Sequence, residues 1–148
     1  MSVEQIQDQA SLEQAFAIRI AVFVEEQGVP LEEELDSFDR LESGCAHVLV
    51  YYNGKPVGTG RVRKIDAGAK LERICLLEEY RKHGLGKEII GKLEAIAQSW
   101  EVQHVMLHGQ THAESFYQKL GYTTASDVFD EDGIDHVKMK KELKKGGF

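Results

Sequence analysis

The chain has 148 residues, 42% of them apolar, which suits one domain over residues 1–148, large enough to bury roughly two thirds of its unfolded surface. A formal net charge of −7 argues against nucleic acid as the main ligand, because phosphate backbones call for lysine and arginine clustered on one face. No apolar run approaches the roughly 20 residues of a membrane span, and the N-terminus lacks the basic-then-apolar plan of a signal peptide, so a cytoplasmic protein with no membrane partner is expected.

Leu12, Ala15, Phe16, Arg19, Phe23 and Val24 recur at helical spacing, which predicts a helix with Ser11 as its N-cap, ending by Gly28 ahead of Pro30. Glu25, Glu26, Glu32, Glu33, Glu34, Asp36 and Asp39 crowd the segment that follows. They read first as a solvated, mobile loop, and second as a surface that draws in a cationic substrate. Residues 46–52 and 56–65 flank Asn53-Gly54, the strongest short hairpin signal, because both turn positions want positive φ. A turn at 66–68 leads into a strand at 71–77. Cys45 and Cys75 lie in strands among apolar neighbours and are expected to be buried free thiols.

The next segment, Arg81-Lys82-His83-Gly84-Leu85-Gly86, precedes a helix whose apolar stripe is Leu85, Ile89, Ile90, Leu93, Ile96, Ala97 and Trp100. That stripe places the helix start near Gly84, where unpaired amides and the positive end of the helix dipole receive an anion. The segment therefore reads as a phosphate cradle. A P-loop would need glycine at 81 and Ser or Thr at 88, where this chain has Arg81 and Glu88. The dinucleotide pattern fails at Ile89, where its third glycine would fall. A strand at 104–108 follows, parallel to 71–77 across the helix. Thr111 and Glu114 form a TxxE capping box for a helix over 112–120, with Gly121 as a left-handed C-cap. Strands at 122–125 and 136–140, joined by an acidic turn containing Gly133, close the chain before a frayed tail at 144–148.

The pattern RxxGxG after a strand resembles motif A of the GNAT superfamily of N-acetyltransferases. Ala113 to Tyr122 resembles its "A..FY.KLGF/Y" helix. The order from Val22 to Leu143 is most similar to small bacterial members of the YjcF type, through Val22-Phe23-Val24-x-Glu26-Gln27-x-Val29-Pro30 and Leu71-Glu72-Arg73-Ile74-Cys75. The resemblance implies an α/β GNAT fold, a mixed, mostly antiparallel sheet flanked by helices, with a splayed parallel strand pair at the cofactor site. It implies acetyl-CoA as co-substrate, no metal, and a homodimer. The backbone from Arg81 through Lys82, His83, Gly84 and Leu85 to Gly86 would then bind the pyrophosphate. Ile74 and Leu76 would pair with the pantetheine arm, and an N–H beside Cys75 or Leu76 would polarise the thioester carbonyl. Tyr117 matches the tyrosine that faces the sulfur and protonates the leaving thiolate. Phe116 is either core or a contact to the pantetheine arm.

An ammonium of pKa about 10 cannot attack a thioester until something takes its proton. Glu72 is the leading candidate for that base, although it stands two residues from the position the family often uses. Arg73 points to the other side, and Arg73, Glu26 and His47 are candidate substrate-binding residues; Glu26, Asp36, Asp39 and His47 are further candidates for the base. An ion pair or cap is the plainer role for the carboxylates. Arg61 and Arg63 share a strand face, as carboxylate anchors or as solvated edge arginines. His104, His108 and His112 recur every four residues, but four residues of strand span about 13 Å, too far for one metal ion. Asp130-Glu131-Asp132-Gly133 lacks the ligand spacing of a calcium loop. Cys75 has no paired histidine and acid that would make it a nucleophile. The expected function is direct transfer of an acetyl group from acetyl-CoA to a primary amine, on a small molecule or a peptide. The alternative is a non-catalytic acyl-CoA sensor or scaffold.

Overall fold

In the computed structural model, which describes residues 1–143, alternating apolar residues line both faces of one eight-stranded sheet. The tail expected to fray, 144–148, lies outside the described residues. β1 (Ser2–Gln5), β2 (Cys45–Tyr52), β3 (Lys55–Ile65), β4 (Gly68–Leu76) and β5 (His104–Gln110) are neighbours in that order. β8 (Ile134–Glu142) follows β5 and carries both β6 (Thr123–Thr124) and β7 (Phe129–Glu131). The β2–β3 hairpin turns at Asn53 and Gly54, with φ of 52° and 78°, the left-handed pair its sequence demands. Every pairing is antiparallel except β4 with β5, whose crossover is α3 (Leu85–Ser99).

α3 covers one face of the sheet. Leu85, Ile89, Ile90, Leu93 and Ala97 pack on Val48, Val62, Leu71 and Leu107. A Cβ at Gly60 would lie 2.9 Å from Ile89 and Leu93, so the bare glycine on β3 lets the helix come this close. On the other face α1 (Gln9–Arg19) places Leu12, Ala15 and Ile18 against Leu49 and Cys75. Both cysteines are buried free thiols, and burial pushes the Cys45 thiol up to about 12.

Several expectations change in detail. The Asp8 carboxylate, not Ser11, caps α1, accepting the Ser11 N–H at 2.7 Å. From Ile20 to Glu26 the helix widens into a π turn, with the Gln27 N–H on the Val22 carbonyl five residues back. β1 had no signal to read, since three of its four residues are polar and exposed. The Thr111–Glu114 capping box does not form: Thr111–Ala113 is a 3-10 turn, α4 spans Glu114–Lys119, and the Glu114 carboxylate accepts the Thr124 hydroxyl instead. Gly121 does take φ of 99° at the end of that helix.

The acidic segment is solvated only in part: Glu25, Glu26, Glu32 and Glu33 are exposed, while Glu34 is buried and Asp39 half-buried. It folds, with α2 (Leu31–Glu34), onto arginines from α1 and β3. Arg19, 1% exposed, bonds Glu34 at 2.9 Å and Asp39 at 2.6 Å; Arg61, 2% exposed, bonds Asp36 at 2.7 Å and Asp39 at 2.9 Å. Arg61 and Arg63 are therefore not free edge cations, and Arg63 also lies over the Phe38 ring at 4.7 Å. Helix spacing placed Arg19 and strand alternation placed Arg61, but neither pattern shows that the two converge on Asp39.

Burial alone would raise the Asp36 carboxyl, yet hydrogen bonds from Arg61 and the Phe38 N–H bring it down to about 2. The unfolded carboxyl, near 3.9, binds protons more tightly, so this contribution is present above about pH 4 and is lost as the pH falls toward 2. The stability gap between the natural chain and Asp36→Asn, measured by urea titration, is expected to be full near neutral pH and to close over that interval. A gap that does not change with pH would contradict the assignment.

Candidate active site

The parallel ladder between β4 and β5 runs from Gly68↔His104 to Leu71↔Leu107 and stops there, although β4 continues to Leu76 and β5 to Gln110. The cause lies on β4. Arg61 pairs with Glu72 and Thr59 with Cys75, so Arg73 and Ile74 together oppose Gly60, and Arg73 takes a left-handed φ of 55°. Such a bulge bends the strand that carries it. Beyond the bulge the Leu77 N–H bonds Val57 on β3, so Leu76, and by alternation Ile74, turn their backbone groups toward the gap. The result is a cleft of about 340 Å³ between two strands that no longer touch.

Arg81 fixes the rim. Its guanidinium accepts two tasks, donating to the Leu76 carbonyl at 3.0 and 3.1 Å and to the Glu26 carboxylate at 2.7 and 2.8 Å. Its own N–H bonds the Glu78 carbonyl at 3.3 Å. Neither group is therefore open to an anion, which corrects the sequence reading for this residue. The open donors lie further on, where Lys82 and Gly84 are left-handed, with φ of 72° and 75°, and α3 begins at Leu85 with no side-chain cap. Leu85 itself is a buried anchor. A Cβ on Gly84 would meet nothing within 4 Å, so its backbone conformation is what calls for glycine. The His83 ring lies 5.2 Å from Tyr52. Phe116 is not core: it is 38% exposed, beside Gly86, whose added Cβ would sit 3.4 Å from the ring.

The sheet divides the cleft into two sides. Tyr117, from α4, lies on the α3 side, over Gly109 and 5.9 Å from Tyr122. Burial pushes its phenol up to about 12, so at neutral pH it is a proton donor, and no described residue engages its hydroxyl. On the opposite side stand the alternate residues of β5, His108 and Gln110. His108 Nδ1 is 2.9 Å from Glu131, and Gln110 donates to the Gln27 side chain at 3.1 Å. None of these polar groups was assigned to acceptor chemistry from the sequence. The period of two in β5 opposes His108 to Gly109, but the packing of β7 and β8 against it leaves no local signal.

The other sequence candidates have definite places. Glu72 lines the cleft, but its carboxylate meets Arg63 at 2.5 Å, Arg61 at 3.4 Å and Lys70 at 3.5 Å. Burial would raise its pKa; the charge of Arg61 and the Arg63 hydrogen bond bring it below the usual value, an environment for an anchor and not for a proton acceptor. Arg73 lines the cleft with its guanidinium 3.5 Å from the buried Glu34. The Arg81 hydrogen bond holds Glu26 below the usual carboxylate range. Asp36 and Asp39 belong to the arginine network. His47 is buried away from the cleft with Nε2 on the Phe38 carbonyl at 3.0 Å, which removes it from the substrate-binding set.

A family model described as an acetyltransferase (GNAT) domain matches residues 7–143. A candidate acetyltransferase of Bacillus subtilis strain 168 is 52% identical over 142 residues, covering 96% of this chain and 97% of its own. YjcF of the same organism, named an uncharacterized N-acetyltransferase, is 43% identical over 136 residues, covering 91% of this chain and 95% of its own. The crystal structure of Escherichia coli ElaA superposes with a TM-score of 0.83 at 28% identity, over 95% of this chain and 99% of that one. An aminoglycoside 6'-N-acetyltransferase crystallised with coenzyme A shares the fold, at a TM-score of 0.75 and 14% identity, over 96% of this chain and 97% of that one.

Gly109 is the position on which the placement of Tyr117 turns, since an added Cβ would lie 3.1 Å from its ring. Gly109→Ala is expected to destabilise by about 1–3 kcal/mol. Gly91→Ala, on the open face of α3, should stabilise by up to about 1 kcal/mol. In a double-mutant cycle read by chemical denaturation, Tyr117→Ala should remove most of the Gly109→Ala penalty.

Proposed function

The chain belongs to the GNAT acetyltransferase family and is an acyltransferase, and from that premise we propose that it moves an acetyl group from acetyl-CoA directly to a primary amine while both are bound. The observation that carries this reading is the unzipped β4–β5 edge beside a left-handed loop that opens a 15-residue helix. Backbone N–H and C=O groups left without strand partners call for hydrogen bonds from elsewhere. A pantetheine arm, with two amides, supplies them to Ile74 and Leu76 in the manner of an added strand. A coenzyme A complex of a protein with the same fold supports that choice.

Each step then falls to groups of this chain. Amides from Lys82 to Gly86 hold the diphosphate against the positive end of α3. A gap-facing N–H of β4, at Ile74 or Leu76, draws charge toward the thioester oxygen as the amine attacks. Tyr117 supplies a proton to the departing sulfur. Cys75 takes no part as a nucleophile: it is buried on the α1 face, and burial pushes its thiol well above the ordinary range. Direct transfer needs no acetyl-cysteine. A mere acyl-CoA sensor would need the cradle and the open edge, but would have no use for a neutral phenol at the sulfur.

Release of free thiol from acetyl-CoA across a panel of amines tests the reaction. Tyr117→Phe should lower kcat about tenfold or more while the acetyl-CoA Kd, measured by calorimetry, stays nearly unchanged. Gly84→Asp should instead weaken acetyl-CoA binding, through like charge at the phosphate site. Equal turnover by Tyr117→Phe would remove the role given to the phenol.

A further inference from the structure

We propose that His108, oriented by Glu131, is the group that takes the proton from the acceptor's ammonium, an inference that rests on the acetyl-transfer reading above. Because the Glu131 carboxylate accepts from Nδ1 at 2.9 Å, the neutral imidazole carries its hydrogen on Nδ1 and keeps a lone pair on Nε2. That Nε2 has no hydrogen-bond partner among the described residues, and His108 lines the cleft. The Phe129 ring stands edge-on to the imidazole at 5.1 Å and fixes its plane.

Position supports the same role. His108 and Gly109 face opposite sides of β5, and Tyr117 lies over Gly109, so base and acid stand on either side of the gap through which the thioester must reach the amine. Glu131 on β7 bonds the imidazole and Lys138 on β8 is its cross-strand neighbour, while Asp132 after β7, His136 on β8, and Glu72 and Arg73 on β4 line the same cleft. His136 donates from Nδ1 to the Ile134 carbonyl at 2.7 Å and turns Nε2 toward Glu131 at 3.6 Å. Glu72 is held by three cations, whereas His108 Nε2 has no hydrogen-bond partner among the described residues.

The step balances. One ammonium N–H bond breaks, its proton passes to His108 Nε2 and on to solvent, and the freed lone pair forms the N–C bond as C–S breaks. The nitrogen sheds its second surplus proton to solvent once the N–C bond has formed. The sulfur takes one from Tyr117, which solvent restores, so each turnover releases one proton.

Two small acceptors at high concentration separate this role from a structural one. Methylamine is almost wholly ammonium at neutral pH and needs a base, whereas hydroxylamine is already largely uncharged. With acetyl-CoA and thiol release as the readout, His108→Gln should slow methylamine acetylation by at least about tenfold and change hydroxylamine acetylation by less than about twofold. Glu131→Gln should lower methylamine kcat/KM and leave hydroxylamine acetylation nearly unchanged, because the imidazole loses the carboxylate that holds its hydrogen on Nδ1. An equal fall with both acceptors would mark Glu131 as structural and overturn its assigned part. Equal losses on both acceptors, or none, would overturn the assignment of His108. Absence of thiol release by the natural chain with every amine would instead defeat the acetyl-transfer reading, and this inference with it.

Discussion

Past Leu71 the fourth strand has one edge without a partner, and the rest of the molecule is organised around keeping it so. An open parallel edge in the middle of a sheet is unfavourable, since buried backbone groups must be paired and neighbouring strands tend to close. Two devices hold it apart. The bulge at Arg73 bends β4 away, and the Arg81 guanidinium takes the Leu76 carbonyl while bound to Glu26 across the cleft. The same stretch of chain then leads into α3, so the gap and the anion-binding helix start are set by one short segment.

The buried arginine network bears on this opening more than on stability as such. Replacing buried ion pairs by apolar packing is often neutral or favourable, so their presence calls for another reason. Arg19 ends α1, immediately before the π turn that carries Val22, Phe23 and Glu26 into the cleft wall. Glu34 reaches from Arg19 to Arg73 at the bulge, and Asp39 ties Arg19 to Arg61 on β3. A set of fixed charges thus joins the helix that forms one wall to the strand that forms the other. The acidic segment, exposed in its sequence pattern, is the clasp between them.

What the sequence made legible was local. The Asn53-Gly54 turn, the stripe of α3, the glycine-bearing loop before it and the Gly121 helix end each depend on residues within a turn or two, and each holds. Tyr117 was singled out through a resemblance carried by its own neighbours, and it lines the cleft. The misreadings are non-local: Arg19 and Arg61 lie 42 positions apart in the sequence of 148 residues, and nothing in either segment shows that both reach Asp39. The polar edge strand β1, the π turn, and the pairing of His108 with Glu131 through the β7–β8 hairpin depend likewise on tertiary packing. Glu72 was placed on the right strand and beside the cleft; its three cationic partners, from two strands, decided what it can do.

The central claim is that one ligand satisfies both the unpaired edge of β4 and the amides at the start of α3. A crystal structure with coenzyme A bound tests it most directly. The diphosphate should lie within hydrogen-bond distance of main-chain amides between Lys82 and Gly86, with the pantetheine amides paired to Ile74 and Leu76. A nucleotide seated elsewhere, or β4 and β5 closed onto each other beyond Leu71 and Leu107, would contradict it.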